Sequence, residues 1–189
     1  SMLGGNIAME QYETSFAVLL GSTQAAKDRL KELSDFAAAT PFELPEVVSA
    51  SKMLQTFGGT ALATGSNLTM VGDMASAAGV GFGEVATWVG RAYSAMDAGR
   101  PFGESSQRLQ ELGLMSGETR NQLEKMQETG ASGADMWAFF SKSMGQYSGM
   151  MEKQSHTMGG LLSTLADNFN NQKRTAMAGL FEALKAPFE

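Results

Sequence analysis

The sequence predicts an all-α fold, and three observations carry that expectation. Apolar residues recur at steps of three and four along nearly the whole chain. No stretch shows sustained alternation of β-branched residues; the short candidates, such as "NLTMVGD", lie among Ala and Met. The 22 glycines are spread out as helix stops rather than gathered into a linker. Interruptions are expected at Gly21, Pro41, Gly58-Gly59, Gly79, Gly99, Gly113 and Gly130. They divide the chain into roughly seven to nine helices of ordinary length. One unbroken helix would reach ~280 Å at 1.5 Å per residue. The expected architecture is instead a compact multi-helix domain followed by a long C-terminal helix.

The first helix carries Tyr12, Phe16, Leu19 and Leu20 and stops at Gly21. Thr23 is the expected N-cap of the second, in which Ala26, Leu30, Leu33 and Ala37 form one face. Next comes "FAAATPFELPEVV", with two prolines. Thr40-Pro41-Phe42-Glu43 has the form of a capping box, with Thr40 as N-cap, Pro41 at the first helical position and Glu43 three residues on. Pro45 disfavours the α conformation at Leu44, so the pattern reads as a single turn at 41–43 and a new helix from Pro45. Phe42 and Leu44 are expected to anchor this corner, and Val47, Ala50, Leu54 and Phe57 to line the buried face beyond it. The alternative is a partner-binding loop.

Further on, Val85, Trp88, Val89, Ala92 and Met96 form a stripe closed by Gly99. Met136, Trp137, Phe140, Met144 and Tyr147 form another. The last helix carries Met158, Leu161, Leu162, Leu165, Phe169, Leu180 and Leu184, with a polar interval "NNQKR" at 170–174. Residues 1–6 read as an expression-vector scar and lead-in, and 7–150 as the helical domain. Residues 151–189 read as the C-terminal helix, free to project, with no firm stop before Pro187. The abrupt end at "LKAPFE" points to a piece of a longer protein.

Composition narrows the function classes. With 43% hydrophobic residues the chain can bury a core, and its 14 methionines suit adaptable packing surfaces. A net charge of -6, with no basic cluster, argues against nucleic acid as a partner. The absence of cysteine excludes thiolate chemistry, disulfides and Cys-ligated metals, and fits a reducing setting. No run of ~18 apolar residues offers a membrane span, and no signal-peptide pattern is present.

Candidates for chemistry are few. His156 is the single histidine and falls on a polar helix face; no G-x-S-x-G elbow accompanies it. Glu10, Glu13, Glu43, Glu46, Asp73 and Glu84 could in principle supply paired carboxylates for glycoside hydrolysis. Each is more simply read as a helix N-terminal or solvated-face residue, with nothing to mark it as buried. "GVGFGE" at 79–84 lacks the lysine and strand of a phosphate loop and reads as a helix stop and restart. Asn67-Leu68-Thr69 matches a glycosylation sequon but has no secretion signal beside it. Arg91, Arg100 and Arg108 surround one helix junction, with Glu104 and Glu111 as expected partners. Neither a cofactor nor a metal is expected.

Several strings together resemble the conserved domain of phage tail tape measure proteins. They are "TPFEL", "LGS", "GRPFGE", "RLQELG" and the late "TMGGLLSTLADN". The similarity covers roughly residues 7 to 170, and Thr40, Pro41, Phe42, Glu43, Leu44, Gly99, Arg100 and Pro101 are its signature positions. The resemblance implies a structural domain, not an enzyme, acting in tail assembly and tail length determination. It further implies tail tube protein, assembly chaperones and tail tip or baseplate proteins as partners, with a possible homo-oligomer. The implied location is the virion tail, and the host cytoplasm during assembly, without membrane contact by this fragment. The rival expectations are a tail-associated peptidoglycan hydrolase using two carboxylates and a stand-alone helical interaction module.

Overall fold

The computed structural model describes residues 2–185, and those residues form nine α-helices and one 3-10 turn, without a strand among them. In order they are α1 (Met2–Leu20), α2 (Thr23–Ala39), α3 (Leu44–Ala63), α4 (Gly65–Ala78) and α5 (Phe82–Asp97). There follow α6 (Gly103–Glu111), α7 (Gly117–Glu128), α8 (Gly133–Met144), the 3-10 turn Gly145–Tyr147 and α9 (Met150–Lys185). The chain divides into two units, Ser1–Glu152 and Lys153–Glu189. The first holds α1 to α8 with the opening residues of α9. The second carries exposed Met158, Leu161 and Phe169, and its polar interval at 170–174 is exposed throughout. The stop expected at Pro187 lies outside the described residues, and a projecting C-terminal helix stays an expectation.

The helix stops expected at Gly21, Gly79, Gly99, Gly113 and Gly130 all fall just past helix ends, each with positive φ. Gly79 shows the mechanism: at φ 67 it lets its own amide and that of Val80 both return to the Ala75 carbonyl. The start of α2 differs by one residue from expectation. Ser22, not Thr23, is the N-cap, and its Oγ accepts from the Ala25 amide at 3.2 Å. Gly21 turns the chain, which leaves Ser22 extended and Thr23 already helical.

Gly58-Gly59 is a kink and not a break. α3 continues to Ala63 across Gly59, whose φ of 70 and ψ of -168 are non-helical. Polar side chains bridge the two segments of α3 that meet at this kink. Ser51 donates its hydroxyl to the Ala63 carbonyl at 3.0 Å. Arg29 of α2, only 4% exposed, donates to Ser51 Oγ at 3.1 Å, Gln55 Oε1 at 2.8 Å and Thr60 Oγ1 at 3.4 Å. It thereby ties residues on both sides of the bend. Burial disfavours its charged form and draws its pKa below the usual arginine value. Its guanidinium also lies 5.6 Å from the centre of the fully buried Phe16 ring, which fastens α1 to the same place.

α3 and α5 make the most extensive helix pair. The expected stripe of α5 is buried at Val85, Val89, Ala92 and Met96, and half-buried at Trp88. On α3, Val47, Ala50 and Leu54 are buried, with Phe57 half-buried. The pair approaches closely because two glycines face it. A Cβ at Gly90 would stand 2.6 Å from Phe57 Cδ2 and 3.2 Å from Phe57 Cβ, and one at Gly58 would stand 2.9 Å from Tyr93 Cδ1, with Leu62 of its own helix nearer still. At the far end of α5, Gly133 opens α8 against backbone, where a Cβ would meet Asp97 Cα and Met96 O at 2.8 Å. Met136, Phe140 and Met144 then bury the inner face of α8 as expected, and Trp137 packs edge-on against Tyr93 at 4.9 Å.

Gly90→Ala tests this contact. Helix propensity favours the change by up to ~1 kcal/mol. The sharpest clash is with the Phe57 ring at Cδ2, with Cγ and Cβ at 3.1 and 3.2 Å behind it, and overpacking of this kind costs ~1–3 kcal/mol. We expect net destabilisation of ~1–2 kcal/mol by chemical denaturation, and a clearly smaller effect of the same change in a Phe57→Leu background.

Candidate functional site

The signature residues lie at two corners. At the first, Thr40 ends α2 as its C-cap and does not cap a following helix. Its amide donates weakly to the Ala37 carbonyl at 3.4 Å, and its hydroxyl is enclosed without a hydrogen-bond partner. The expected capping box fails because residues 41–43 are not helical, so no helical amides stand within reach of Thr40. α3 begins at Leu44, one residue earlier than expected, with Glu43 as N-cap. The Glu43 carbonyl accepts from Glu46 and Val47 at 3.1 Å, and Pro45 occupies the first turn, where no amide donor is needed.

The anchoring role of the corner holds in a modified form. Phe42 and Leu44 are half-buried and pack on the core. The Phe42 ring stacks on Phe82 with centroids 4.8 Å apart, and Phe36 reaches Phe82 from the other helix end at 5.8 Å. Phe82 itself is fully buried and opens α5. Thus the "TPFEL" corner is packed onto the start of α5.

The second corner closes the opposite end of that helix. Gly99 turns the chain at φ 63, and the Arg100 amide returns to the Ala95 carbonyl at 2.8 Å. The Arg100 carbonyl accepts from Gln127 Nε2 at 2.8 Å, Pro101 is exposed, and Phe102 is buried beneath. Phe82 and Gly99 are separated by most of α5, ~25 Å at 1.5 Å per residue. The signature therefore frames one helix and does not converge on a site.

The six candidate carboxylates are dispersed among α1, α3, α4 and α5. Glu10 and Glu13 stand on α1, and Glu84 pairs with Arg108 at 3.7 Å. Glu46 accepts the Phe82 amide at 3.0 Å, which supplies the acceptor that Gly81, the N-cap of α5, lacks. Asp73 departs from its expected solvated position. It is 6% exposed, and its two oxygens accept from Gly149 at 3.1 Å and Met151 at 3.0 Å, at the start of α9. Glu32, which the sequence did not single out, does the same for α4, where it accepts the Gly65 amide at 3.1 Å. Thr64, the N-cap there, makes no side-chain cap bond; its hydroxyl is turned back to donate to the Thr60 carbonyl. In Glu32, Glu46 and Asp73 the charge stabilises the positive end of a helix dipole belonging to another part of the chain.

The arginine junction is a surface network around Trp88. Arg91 stands over its ring at 4.9 Å and Arg108 at 5.5 Å, consistent with cation–π attraction. Arg91 meets Glu104 at 3.7 Å, and Arg108 pairs with Glu111. The hydrogen bond from Arg108 holds the Glu111 carboxyl below its usual pKa, with Gln107 as a second donor. Arg100 bonds through its backbone to Ala95 and Gln127 instead. His156 is exposed on α9, and no group of three or more possible metal ligands occurs among the described residues.

One groove lies between α4 and the α8 end, with a volume of about 500 Å³. Asp73, Met70, Ser141, Met144 and Ser148 contribute to its wall. Asp73 already holds two backbone amides there, which gives it a structural task. Chemically, the assembled residues fasten helices to one another. The sequence signal for Asp73 and Glu32 was absent, since each bonds a backbone at least 33 residues away.

The half-burial of Phe42 sets its expected contribution. Phe42→Ala should cost ~2 kcal/mol in equilibrium unfolding, less than the ~3–5 kcal/mol of a fully enclosed ring. A near-zero effect would show that the Phe82 stack contributes nothing to stability. No protein-family model, curated protein or solved structure matches the chain.

Proposed function

We propose that the chain is a structural domain of a phage or prophage tail tape measure protein, acting in tail assembly and tail length determination without catalysis. The observation that carries this reading is the ordered combination of "TPFEL", "GRPFGE", "RLQELG" and "TMGGLLSTLADN" across roughly residues 7 to 170. Two structural facts support it. The carboxylates best placed for chemistry by burial, Glu46 and Asp73, are engaged in holding helix starts. α1 leaves Ile7 55% and Val18 82% exposed, which is apolar surface of the kind that helix–helix contacts use. The partners in this reading are tail tube protein, assembly chaperones and tail tip or baseplate proteins, and self-association is included. The place of action is the virion tail, preceded by the host cytoplasm.

Co-expression with the tail tube protein and the tail assembly chaperone of the same phage tests the proposal. Co-elution of the chain with at least one of them at stoichiometric yield is the expected result. If both fail to co-elute while the chain remains folded by circular dichroism, the proposal is overturned.

A further inference from the structure

We infer that residues 147–151 form a latch on α4, able to leave its seat while the helices packed around α3 and α5 stay folded. The inference is independent of the tail reading and rests on how the segment is attached. Its backbone is held to α4 by the Asp73 side chain, with Gly149 on one carboxylate oxygen and Met151 on the other, while the Ser148 amide bonds the Gly145 carbonyl of the preceding turn. Tyr147 adds a hydroxyl bond to the Gly113 carbonyl at 3.0 Å. Met151 is 6% exposed, yet it is not a member of the contiguous cluster of buried side chains that runs from Phe16 to Met144. Its seat exists because residue 72 is glycine, since a Cβ there would stand 2.5 Å from Met151 Sδ.

The geometry also supplies a pivot. Gly149 has φ 81, immediately after the 3-10 turn and before α9. A glycine there can change conformation at little cost, whereas most residues could not hold the seated one. The attachment thus includes a charge-assisted pair, one hydroxyl bond, one thioether contact, the half-buried Tyr147 ring at the edge of the core and the Ser148 amide on the Gly145 carbonyl. The body beneath it is held by the continuous α3–α5 core. Unequal attachment of this kind produces local opening well below the global unfolding free energy. Because Asp73 and Ser148 both line the groove beside α4, release of the latch opens that groove.

Amide hydrogen exchange on the full chain tests the latch, comparing the parent with Asp73→Asn and Met151→Ala. Asparagine keeps the shape of Asp73 but replaces one acceptor oxygen with a donor and removes the charge. Exchange at Gly149 and Met151 should accelerate by at least ~10-fold, because a bond to a charged acceptor is lost. Exchange at Leu54 and Val89, in α3 and α5, should change by less than about 3-fold. Met151→Ala empties the seat without touching the carboxylate and should give the same local pattern at Gly149. Loss of protection throughout α3 and α5 in either variant overturns the latch, since the segment would then belong to the cooperative body. Unchanged exchange at Gly149 and Met151 in Asp73→Asn overturns it as well.

Discussion

The close approach of α3 and α5 at Gly58 and Gly90 is the constraint on which the rest of the first unit depends. Phe57 of α3 occupies the space that a Cβ at Gly90 would fill, and the space beside Gly58 is shared by Leu62 of α3 and Tyr93 of α5. Interiors pack at near-crystalline density, so an exchange of volume of this kind sets the distance between two helices. The neighbouring elements are then placed from the ends of α5. Its start receives Phe36 and Phe42 on the Phe82 ring, and its last residues receive Gly133 at the head of α8. α2 is joined to α3 through Arg29 and the kink at Gly59.

A second principle organises the helix starts. Where the N-cap is a serine whose hydroxyl faces the first turn, as at Ser22, Ser116 and Ser132, the cap is local. Where it is Gly81, or Thr64 with its hydroxyl turned back on its own helix, a carboxylate from an earlier helix takes over. Glu32, Glu46 and Asp73 thus do two things at once: they satisfy amides that the helix cannot satisfy itself, and they join distant segments. This accounts for acidic side chains at or near the interior of the domain. It also sets them against the hydrolase reading, in which one carboxylate must be free to deliver a proton.

The surface is unevenly committed. Trp88 lies under Arg91 and Arg108, whose charges are paired with Glu104, Glu84 and Glu111, so that junction is self-contained. The less committed surface is on α1, where Ile7 and Val18 face outward. For a domain proposed to work among tail proteins, apolar helix surface of this type is the relevant property, and its methionines add packing tolerance elsewhere.

What the sequence determined by itself was everything carried by near neighbours in the chain. The helical period, the glycine stops and the buried stripes of α3, α5 and α8 all arise from residues within about four positions of one another. Thr40 shows where local pattern misleads: it fits a capping box, but the proline-spaced residues after it are not helical, so the hydroxyl finds no helical amide. Tertiary structure alone decided which carboxylate caps which helix, since Glu32, Glu46 and Asp73 reach partners 33, 36 and 76 residues away. It also decided that Arg29 is buried and that Gly59 bends α3 without ending it. The reason is the same in each case: those interactions exist only after separate helices have been brought together, and no periodicity records a partner that is distant along the chain.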